Sequence, residues 1–531
     1  MTPAGASGPQ RGRVVRRAQA STVESASRAG ASGLGPSMWL LAAVVLLGLG
    51  IRCIDLGAPL VDEQAWRQTD TAAIARNYFE EGRPFLYPSV DWRGGTPGYV
   101  EMEFPLYPYL VAKLYAAFGR ADEWIGRLVS ALFSAGTIPL LFLLARRFYG
   151  PPAALVAAFT FTIAPMSAFF GRAFMPEPAM LFFSVGTILL FDSWVEKPTH
   201  WRLAGAVGFA TLAFLVKVPT LYLGLPLLFL AMEKSGGNLF REPQLWAFAL
   251  LTLVPTALWY RHAYALFQKT HLTFGIWNHY GYAKWGNVSL LTSADFYLLM
   301  LRRLGGVTLT PLGLALMVVG AALPVASRRE RVFHVWLLAL VLYVLLVPEG
   351  NRTLMYYQLP FVPVGAVFVG KALGRLWEGP GRVQGPASGL PMRRVAVGLC
   401  LGSMALLSVR FAAPLFAASP YYVAQRDIGR EVEARVPKDA LLVVGDFDTN
   451  VGAQYRTQSP TLLYYAHRKG WQLLPGEFGD RSLIDSLVRG GARFFLIPDS
   501  IDWKPNRASV SMLLVESGGR NIARFRREVR R

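Results

Sequence analysis

Residues 61–108 read VDEQAWRQTDTAAIARNYFEEGRPFLYPSVDWRGGTPGYVEMEFPLYP, a long polar and aromatic stretch that soon follows the first apolar segment of the chain. Connecting segments of this kind carry binding and catalytic residues more often than the elements they join. We therefore expect the stretch to cover a functional site, with the rest of the chain as the scaffold beneath it. Its acids include Asp62, Glu63, Asp70, Glu101 and Glu103.

The rest of the chain is dominated by apolar runs of membrane-spanning length. It is 53% hydrophobic and only 17% charged, and soluble domains carry more charge. The runs predict an α-helical polytopic membrane protein with about eleven transmembrane helices. The two runs between 203 and 232 are short and share a break at Lys217-Val218-Pro219, which leaves the count open there. The predicted spans are 38–54, 124–145, 153–170, 178–195, 203–217, 218–232, 245–261, 306–326, 332–347, 354–373 and 394–412.

The net charge of +20, from 54 Lys and Arg against 34 Asp and Glu, has a topological explanation. In a soluble protein this excess would indicate nucleic-acid binding. Here most of the arginines lie in short loops and in the two tails, where they set the orientation and meet anionic lipid. We therefore predict that the excess Lys and Arg residues contact membrane lipids and that the protein does not bind nucleic acid. Cys53 and Cys400 lie far apart, in or beside apolar helices, and support neither a disulfide framework nor a Cys-based zinc site.

Charge also predicts the orientation. Residues 1–37 have the composition of a disordered basic arm, and a cytoplasmic position for this arm puts the arginine-rich loops between spans on the same side. The polar, aromatic and acidic pieces then converge on the opposite face, which is a partly independent check. These pieces are the first loop (55–123), Arg172–Pro178, Lys217, the segment 261–304 and Pro348–Arg352.

Residues 413–531 form a soluble segment of ordinary polarity beyond the membrane domain, 38–412. Alternating strands and helices indicate a small α/β domain. With an odd number of spans, this domain lies on the same face as the first loop. The pattern predicts helices over Asp427–Val436 and Arg481–Arg489 and strands over Ala440–Gly445 and Ala492–Pro498.

Three acids at the predicted membrane surface are candidates for catalysis. Asp62 and Glu63 follow the first span, where partial desolvation among aromatic residues such as Trp66 would suit a general base acting on a hydroxyl. A solvated loop acid or a helix cap is the plain alternative. Glu177 lies between two prolines at the outer end of the fourth span, shortly after Arg172, and fits a functional acid and a simple ion pair equally well.

Four outer-face cations near helix ends would suit a phosphate-bearing substrate whose lipid tail stays in the bilayer. For each cation alone, contact with lipid headgroups is the simpler interpretation. The phosphate interpretation rests on the four as a cluster. They are Arg172, Lys217, Arg261 and Arg352.

Metal binding is left open by the sequence. His279 would join Glu103 as a ligand of a divalent ion, although a histidine without a close partner is more often no ligand. Asp446-Phe447-Asp448 follows a predicted strand and is similar to the metal-binding DxD of nucleotide-sugar transferases. Acid pairs after strands are also common turn formers, so this motif is weak evidence.

Five motifs occur in an order that resembles a known group of enzymes. They are the Asp62-Glu63 pair, E-x-P-L-Y from Glu103, R-x-x-x-P-E from Arg172, the K-x-P break at Lys217 and R-T-L-x-Y-Y-x-L-P from Arg352. Together they resemble the protein mannosyltransferase and lipid A aminoarabinose transferase superfamily, glycosyltransferase family 39, which has the GT-C membrane fold. The run Leu463–Trp471 resembles one in bacterial members with a periplasmic tail domain.

The resemblance implies a polyprenyl-phosphate-linked sugar donor, an inverting displacement and no nucleotide. By position, Asp62 resembles the catalytic acid of the family's first loop, Glu63 completes its Asp-Glu pair and Glu177 occupies its second acidic position. Arg172 and Lys217 would hold the lipid phosphate and stabilise its developing charge, with Arg261 and Arg352 as further phosphate ligands. The sugar and the acceptor are expected to contact Trp66, Glu103, Tyr107 and Tyr357.

Glu103 also marks a departure from the aminoarabinose transferases. It matches the glutamate of their E-K-P-P-L element, but Phe104 replaces the lysine and only Pro105 remains of the proline pair. This departure counts against aminoarabinose transfer itself and against that subfamily's metal site. It leaves the general class of lipid-phosphate-sugar transferases in place.

The sequence therefore predicts a bacterial inner-membrane glycosyltransferase of the GT-C type, with a cytoplasmic N-terminus, a periplasmic active site and a periplasmic C-terminal α/β domain. It would transfer a hexosyl or pentosyl group to a hydroxyl of a lipid, a glycan or a protein. Two other classes stay open: a transporter or flippase for a lipid-linked sugar, and a non-catalytic scaffold in envelope assembly. The candidate acids lie at helix ends and in loops rather than inside the spans, which favours the enzyme.

Overall fold

The protein is mainly helical, with a small C-terminal sheet. The computed structural model describes residues 36–276, 278–279, 282–379, 390–445, 460–473, 477, 480–498, 508–515 and 522–529. Its helices are α1 (Pro36–Arg52), α2 (Ala65–Glu80), α3 (Leu106–Phe118), α4 (Glu123–Ile163), α5 (Pro165–Phe170), α6 (Glu177–Glu196), α7 (His200–Val216), α8 (Gly224–Ser235), α9 (Pro243–Thr270), α10 (Val288–Leu291), α11 (Ala294–Arg303), α12 (Pro311–Ala322), α13 (Val332–Leu346), α14 (Pro348–Thr353), α15 (Phe361–Glu378), α16 (Leu390–Phe416), α17 (Pro420–Arg435), α18 (Thr461–Ala466) and α19 (Arg481–Arg489). Its strands are β1 (Asn278–His279), β2 (Tyr282–Ala283), β3 (Leu441–Gly445), β4 (Lys469–Leu473), β5 (Ala492–Pro498), β6 (Ala508–Val515) and β7 (Ile522–Val529).

The apolar helices follow the predicted spans. The boundary between the spans 124–145 and 153–170 appears as a bend in α4 at Gly150, whose φ of 77° suits glycine and interrupts the helix. The predicted break at Lys217 is confirmed, since α7 ends at Val216 and a 3-10 turn leads into α8. By length and hydropathy α4, α6 and the helix 392–435 each suffice to cross a membrane, as do α11 and α12 taken together. The count of eleven stays a prediction.

Helices α4 and α15 approach each other closely through small residues. Gly370 and Gly374, one turn apart on α15, face Ala153 and Ala157 on α4. A methyl group added at Gly370 would lie 2.4 Å from the Ala153 carbonyl oxygen, and one at Gly374 would lie 2.6 Å from Ala153 Cβ. Small residues at this spacing let membrane helices pack backbone to backbone, where lipid supplies no hydrophobic driving force between them.

One end of the helix bundle, here called the inner end, is held by buried ion pairs. Asp192 on α6 is bound by Arg147 of α4 at 2.8 Å and by Arg329, just before α13, at 2.7 Å. Lys371 of α15 binds Glu330 at 2.7 Å. The charge pattern assigns Arg147 and Arg329 to loops on one side of the membrane, and the contacts show that they share one end of the bundle.

At the other end, here called the outer end, the first loop forms a roof over the helices. Within the roof, α2 is a buried helix that packs against α3 and α18. Ile74 and Tyr78 of α2 share a buried apolar cluster with Val432, Leu442 and Leu463 of the C-terminal segment. The C-terminal segment therefore packs directly on the roof.

The C-terminal sheet has the strand order β4-β3-β5-β6-β7. Strand β3 pairs in parallel with β4 and β5, and β6 and β7 extend the sheet antiparallel. The predicted strands coincide with β3 and β5, and the predicted helices with the end of α17 and with α19. The predicted α/β character is confirmed. The last membrane helix, α16, runs to Phe416 and so extends beyond its predicted end at 412.

Candidate active site

Asp62 lies at the start of the roof and is almost fully buried. Its Oδ1 accepts a hydrogen bond of 2.6 Å from Gln68 Nε2, and its Oδ2 accepts bonds of 3.0 Å from Arg127 and 2.8 Å from Arg172. Gln68 Oε1 in turn accepts from the Phe174 backbone N–H at 3.0 Å. The carboxylate thus ties the first loop to α4 and to the turn before α6, and two guanidinium groups compensate its charge.

Glu63 is half-buried and has a different environment. Gln64 Nε2 donates to Glu63 Oε1 at 2.8 Å, and Gln64 Oε1 accepts from Trp66 Nε1 at 3.0 Å. Burial raises the pKa of the Glu63 carboxyl above its usual range, and the neighbouring Asp62 adds to the shift against the Gln64 hydrogen bond and the charge of Arg303. Glu63 therefore reaches its neutral form more easily than an exposed glutamate does.

A second network of buried charges joins the roof to two membrane helices. Arg67 binds Glu103 at 2.9 Å, Lys217 binds Glu103 at 3.0 Å, and Lys217 also binds Glu177 at 2.6 Å. Burial alone would raise the pKa of Glu103, but the charges of Arg67 and Lys217 outweigh it and hold the pKa well below its usual range. Glu103 is thus an anion across the physiological range, and the network places fixed charge of both signs beside the roof.

The two networks meet at a cavity of about 480 Å³ between the roof, α14 and the end of α16. Five predicted site residues line it: Asp62, Glu63, Trp66, Glu103 and Tyr357. Arg172 and Lys217 lie behind the wall, bonded to Asp62 and Glu103 respectively, which line the cavity. Glu177 lies behind the wall as well, bonded to Lys217. The other lining residues are Gln64, Arg67, Phe274, Lys284, Glu349, Thr353, Leu354, Tyr356, Pro414, Ala417, Ala418, Ser419 and Tyr422.

The remaining predicted residues are not on the cavity wall. Tyr107 is buried below the roof, where its hydroxyl bonds Ser130 Oγ and the Gly126 carbonyl oxygen, each at 2.8 Å. Arg261 is exposed on α9. Arg352 points its guanidinium at Glu349 with a contact of 2.6 Å and lies beside the cavity rather than in its lining. Tyr107 and Arg261, which were expected to contact the substrate, therefore do not line this cavity.

Sequence reasoning missed three cations of the site. Arg127 completes the pair of guanidinium groups on Asp62, and Arg67 bridges to Glu103. Lys284 lines the cavity and, within the described residues, makes no hydrogen bond or ion pair. Arg67 follows Glu63 by one helical turn, a spacing that would have identified it. Arg127 and Lys284 come from distant segments, and only the tertiary structure brings them here.

The roof also buries an acid that is bonded to no guanidinium in the described part of the chain. Asp70 on α2 accepts a hydrogen bond of 2.9 Å from Trp92 Nε1. Burial raises the pKa of Asp70 to about 7, against the opposing effects of the Trp92 bond and the charge of Arg67. Nearby, Asp91 pairs with Arg76 at 2.7 Å and with Lys469 of β4. These contacts hold the roof helix, the first loop and the C-terminal sheet together.

The donors present do not fit a metal site at Glu103. Both of its oxygens are taken up by cations, Arg67 and Lys217, and a divalent ion would have to displace at least one of them. The side chain of His279, the other candidate ligand, lies outside the described residues, as does the Asp446-Phe447-Asp448 motif. Within the described part of the chain, no group of three or more His, Cys, Asp and Glu residues is arranged to hold a metal ion.

Residues 102–260 match the dolichyl-phosphate-mannose-protein mannosyltransferase family, over less than half of the chain. This matched region contains Glu103, Arg172, Glu177 and Lys217. No curated protein sequence matches the chain.

Solved structures match over far more of the chain. ArnT from Cupriavidus metallidurans bound to undecaprenyl phosphate has a TM-score of 0.61 and 15% identity, covering 88% of this chain and 94% of ArnT. The oligosaccharyltransferase AglB from Archaeoglobus fulgidus, in complex with an inhibitory peptide and a dolichol-phosphate, has a TM-score of 0.52 and 13% identity, covering 87% of this chain and 69% of AglB. The arabinofuranosyltransferase AftD from Mycobacteria has a TM-score of 0.54 and 15% identity, covering 89% of this chain and 36% of AftD. At these identities the similarity is one of fold.

Proposed function

We propose that this chain is a membrane glycosyltransferase of the GT-C type and that it transfers a sugar from a polyprenyl-phosphate-linked donor to an acceptor hydroxyl. The observation that carries the proposal is the cavity itself. It brings the first-loop acids Asp62 and Glu63 into one space with the cations Arg67 and Lys284 and with aromatic side chains. Acids that activate a hydroxyl and cations that receive a phosphate are the two halves of such a transfer.

The reaction is an inverting displacement at the anomeric carbon. The acceptor oxygen forms a bond to this carbon from one side, while the bond from the carbon to the phosphate oxygen breaks on the other side. The electron pair leaves with the lipid phosphate, and the acceptor's proton passes to a carboxylate of the first loop. The resemblance to the family assigns that carboxylate to Asp62, with Glu63 beside it and Glu177 as a charge partner of Lys217.

Lys284 is the group best placed to bind the donor phosphate. Arg172 and Lys217, the cations expected to do so, each lie in ion pairs with a carboxylate at 2.8 Å or less. Lys284 has no such bonded partner among the described residues and interacts with Glu101 only through its charge, so it can bind a phosphate without breaking an ion pair of this kind. Arg67 on the wall and Lys217 and Arg172 behind it contribute positive potential, which stabilises the leaving phosphate as its charge develops.

The location proposed is the periplasmic side of a bacterial inner membrane, with the N-terminus in the cytoplasm. Two observations support it. The arginine-rich loops share the inner end, and the C-terminal segment packs on the roof at the outer end. Accordingly, residues 38–412 form the catalytic membrane domain, 413–531 form a periplasmic domain that borders the acceptor side of the cavity, and 1–37 form a cytoplasmic arm.

The experiment is transfer of label from a set of polyprenyl-phosphate sugars, hexosyl and pentosyl, to lipid, glycan and protein fractions of membranes that contain the full chain. Wild type is compared with Lys284→Ala and with Glu80→Gln, an acid exposed on α2 away from the cavity. We expect transfer by wild type and by Glu80→Gln and strong loss in Lys284→Ala. Movement of the donor across the bilayer without any acceptor would instead identify a flippase, and no activity toward any donor would favour the scaffold.

A further inference from the structure

We infer that Gln64 is a positioning residue that holds Glu63 as the proton acceptor of the transfer, while Asp62 anchors the loop. The inference rests on the proposed function and concerns which carboxylate of the acid pair does the chemistry. Position within the motif favours Asp62. The contacts of the two side chains favour Glu63.

Asp62 is already held by three hydrogen-bond donors. Three donors, Gln68, Arg127 and Arg172, already bond its two oxygens at 2.6–3.0 Å. Two of these donors are guanidinium groups that compensate the charge of the carboxylate, so a proton arriving there would disturb a buried ion pair. Asp62 thus links three segments of the protein. Its negative charge compensates the two buried guanidinium groups, which would otherwise be left unpaired.

Glu63 has the opposite properties. Among the described residues its carboxylate accepts one side-chain hydrogen bond, from Gln64, and it is bonded to no guanidinium. It lines the cavity, and burial makes its neutral form easier to reach. The backbone N–H of Glu63 donates to the Leu415 carbonyl oxygen at 3.3 Å, which fixes the main chain while leaving the carboxylate in the cavity.

Gln64 has the geometry of a built-in support. Its φ of 59° and ψ of 34° place a glutamine in the left-handed region, which non-glycine residues rarely adopt and which recurs at functional sites. In this conformation one amide group bonds both neighbours at once: Nε2 donates to Glu63, and Oε1 accepts from Trp66. The same residue therefore sets the direction of the acid and of the aromatic ring next to it on the wall.

Charged groups of several elements surround Glu63. Asp62 from its own segment raises the pKa of Glu63, and Arg303 at the end of α11 lowers it. Arg303 is itself held by the carbonyl oxygens of Asn351 and Arg352, at 2.8 and 3.0 Å. The remaining charged groups on the cavity wall are Arg67, Glu103, Lys284 and Glu349.

The proton balance is simple. As the acceptor oxygen bonds the anomeric carbon and the phosphate leaves with its electron pair, the hydroxyl proton passes to an oxygen of Glu63. Glu63 then releases the proton to water in the cavity and is ready for the next turnover. The Gln64 N–H bonds the carboxylate form of Glu63 more strongly than the neutral acid, so it favours the state that can accept the proton.

The first test compares Glu63→Gln, Glu63→Asp and Asp62→Asn with Glu80→Gln as the control, in transfer assays on membranes that contain the full chain. A general base contributes about 10²–10⁴-fold, so we expect Glu63→Gln to lower kcat by that factor at unchanged thermal stability. Glu63→Asp should recover part of the loss, and Asp62→Asn should lose stability as well as activity. Transfer by Glu63→Gln within about threefold of wild type would overturn the inference while leaving the proposed function intact.

The second test uses Gln64→Glu and Gln64→Gly and reads the pH dependence of kcat. Both changes remove the bond that favours ionised Glu63, and Gln64→Glu adds a negative charge, so the acid limb of the profile should move to higher pH, furthest in Gln64→Glu. Gln64→Gly relieves the left-handed backbone, so its stability should equal or exceed that of wild type. An unmoved acid limb in both variants would leave Gln64 a purely structural residue. Absence of transfer by wild type from any donor would overturn the proposed function and the inference together.

Discussion

Asp62 at the outer end and Asp192 at the inner end are built alike. Each is a buried carboxylate shared by two arginines, Arg127 and Arg172 for Asp62 and Arg147 and Arg329 for Asp192, with contacts of 2.7–3.0 Å. They differ in their surroundings. The arginines of Asp62 are 0% and 1% exposed and the carboxylate borders a cavity, whereas those of Asp192 are 27% and 28% exposed at a bundle end.

The comparison separates structure from chemistry. A carboxylate between two guanidinium groups is a device that this fold uses twice to hold segments together, once near a cavity and once away from it. The outer end has a second acid, Glu63, which makes fewer contacts than Asp62. Glu63 shares the cavity with Lys284 and with aromatic side chains. In the division of roles that we propose, Asp62 holds the first loop and Glu63 accepts the proton.

The largest effect expected is on stability, in Asp62→Asn and Asp192→Asn. Removal of one partner from a buried ion pair typically costs about 3–5 kcal/mol, because charge is left uncompensated. We expect the full cost for Asp62→Asn, whose arginines are enclosed, and a clearly smaller one for Asp192→Asn, whose arginines can reach water. Thermal unfolding of the purified proteins in one detergent measures both. Equal losses would show that enclosure does not distinguish the two ends.

Glu103→Gln tests whether the ion pairs of Glu103 with Arg67 and Lys217 are needed for sugar transfer. The change leaves Arg67 and Lys217 facing a neutral side chain in the cavity wall, and we expect kcat to fall by about 100-fold, equivalent to about 2.7 kcal/mol. Glu330→Gln at the inner end, where Lys371 loses its partner, is the matched control. It should lose stability and retain transfer per folded molecule. Comparable kcat losses in the two variants would contradict the assignment of the outer end as the active site.

Lys284→Ala sharpens the role of the cavity cations. A charge-assisted hydrogen bond contributes about 1.5–3 kcal/mol, so loss of Lys284 should raise the KM for the donor by roughly 10–100-fold. Lys284→Arg should retain most of the affinity, because it keeps the positive charge. Donor titration under steady-state conditions gives both values. An unchanged KM in Lys284→Ala would show that Lys284 does not bind the donor phosphate, and would favour Arg172 and Lys217 as its ligands.

The smallest effect concerns Asp70, a buried roof acid without a bonded guanidinium. Its pKa of about 7 in the folded protein lies above the value of about 3.9 expected when unfolded. The folded state therefore binds the extra proton, and stability falls as pH rises through this interval, by about 1.4 kcal/mol per pH unit at most. We expect the Tm of wild type to be higher at pH 5.5 than at pH 8 and the difference to shrink in Asp70→Asn. A wild-type Tm that rises over this range would contradict the sign.

The sequence predicts the membrane part of the fold well, because its signals are local. Apolar runs, the breaks at Gly150 and Lys217-Val218-Pro219 and the alternating pattern around β3 and β5 each depend on neighbouring residues. The packing between elements is less accessible. The small-residue contact of Gly370 and Gly374 with α4 depends on which two helices become neighbours, and the docking of α18 on the roof joins residues almost 400 positions apart.

The site is predictable in part for the same reason. Asp62, Glu63, Trp66 and Glu103 lie in one polar stretch, and Tyr357 follows a recognisable motif, so five lining residues are identified from the sequence. The sequence does not show which charged residues pair with one another. That Arg172 and Lys217 are already bonded to carboxylates, and that Lys284 is not, follows from three-dimensional contacts alone. Tyr107 shows that a motif does not determine the direction of a side chain. The motif around Tyr107 is present, but its hydroxyl bonds Ser130 and does not face the cavity.

The wall formed by Pro414–Tyr422 has a consequence for the making of the protein. Ser419 N–H donates to the Val61 carbonyl oxygen at 2.8 Å, and Glu63 N–H donates to that of Leu415, so the cavity closes only when the last membrane helix meets the first loop. About 350 residues are synthesised between these two segments, which at about 5–20 residues per second takes roughly 20–70 s. During that time the nascent chain already displays the acid pair but has no enclosed site. We therefore expect a half-made chain to lack the enclosed site on which the proposed transfer depends.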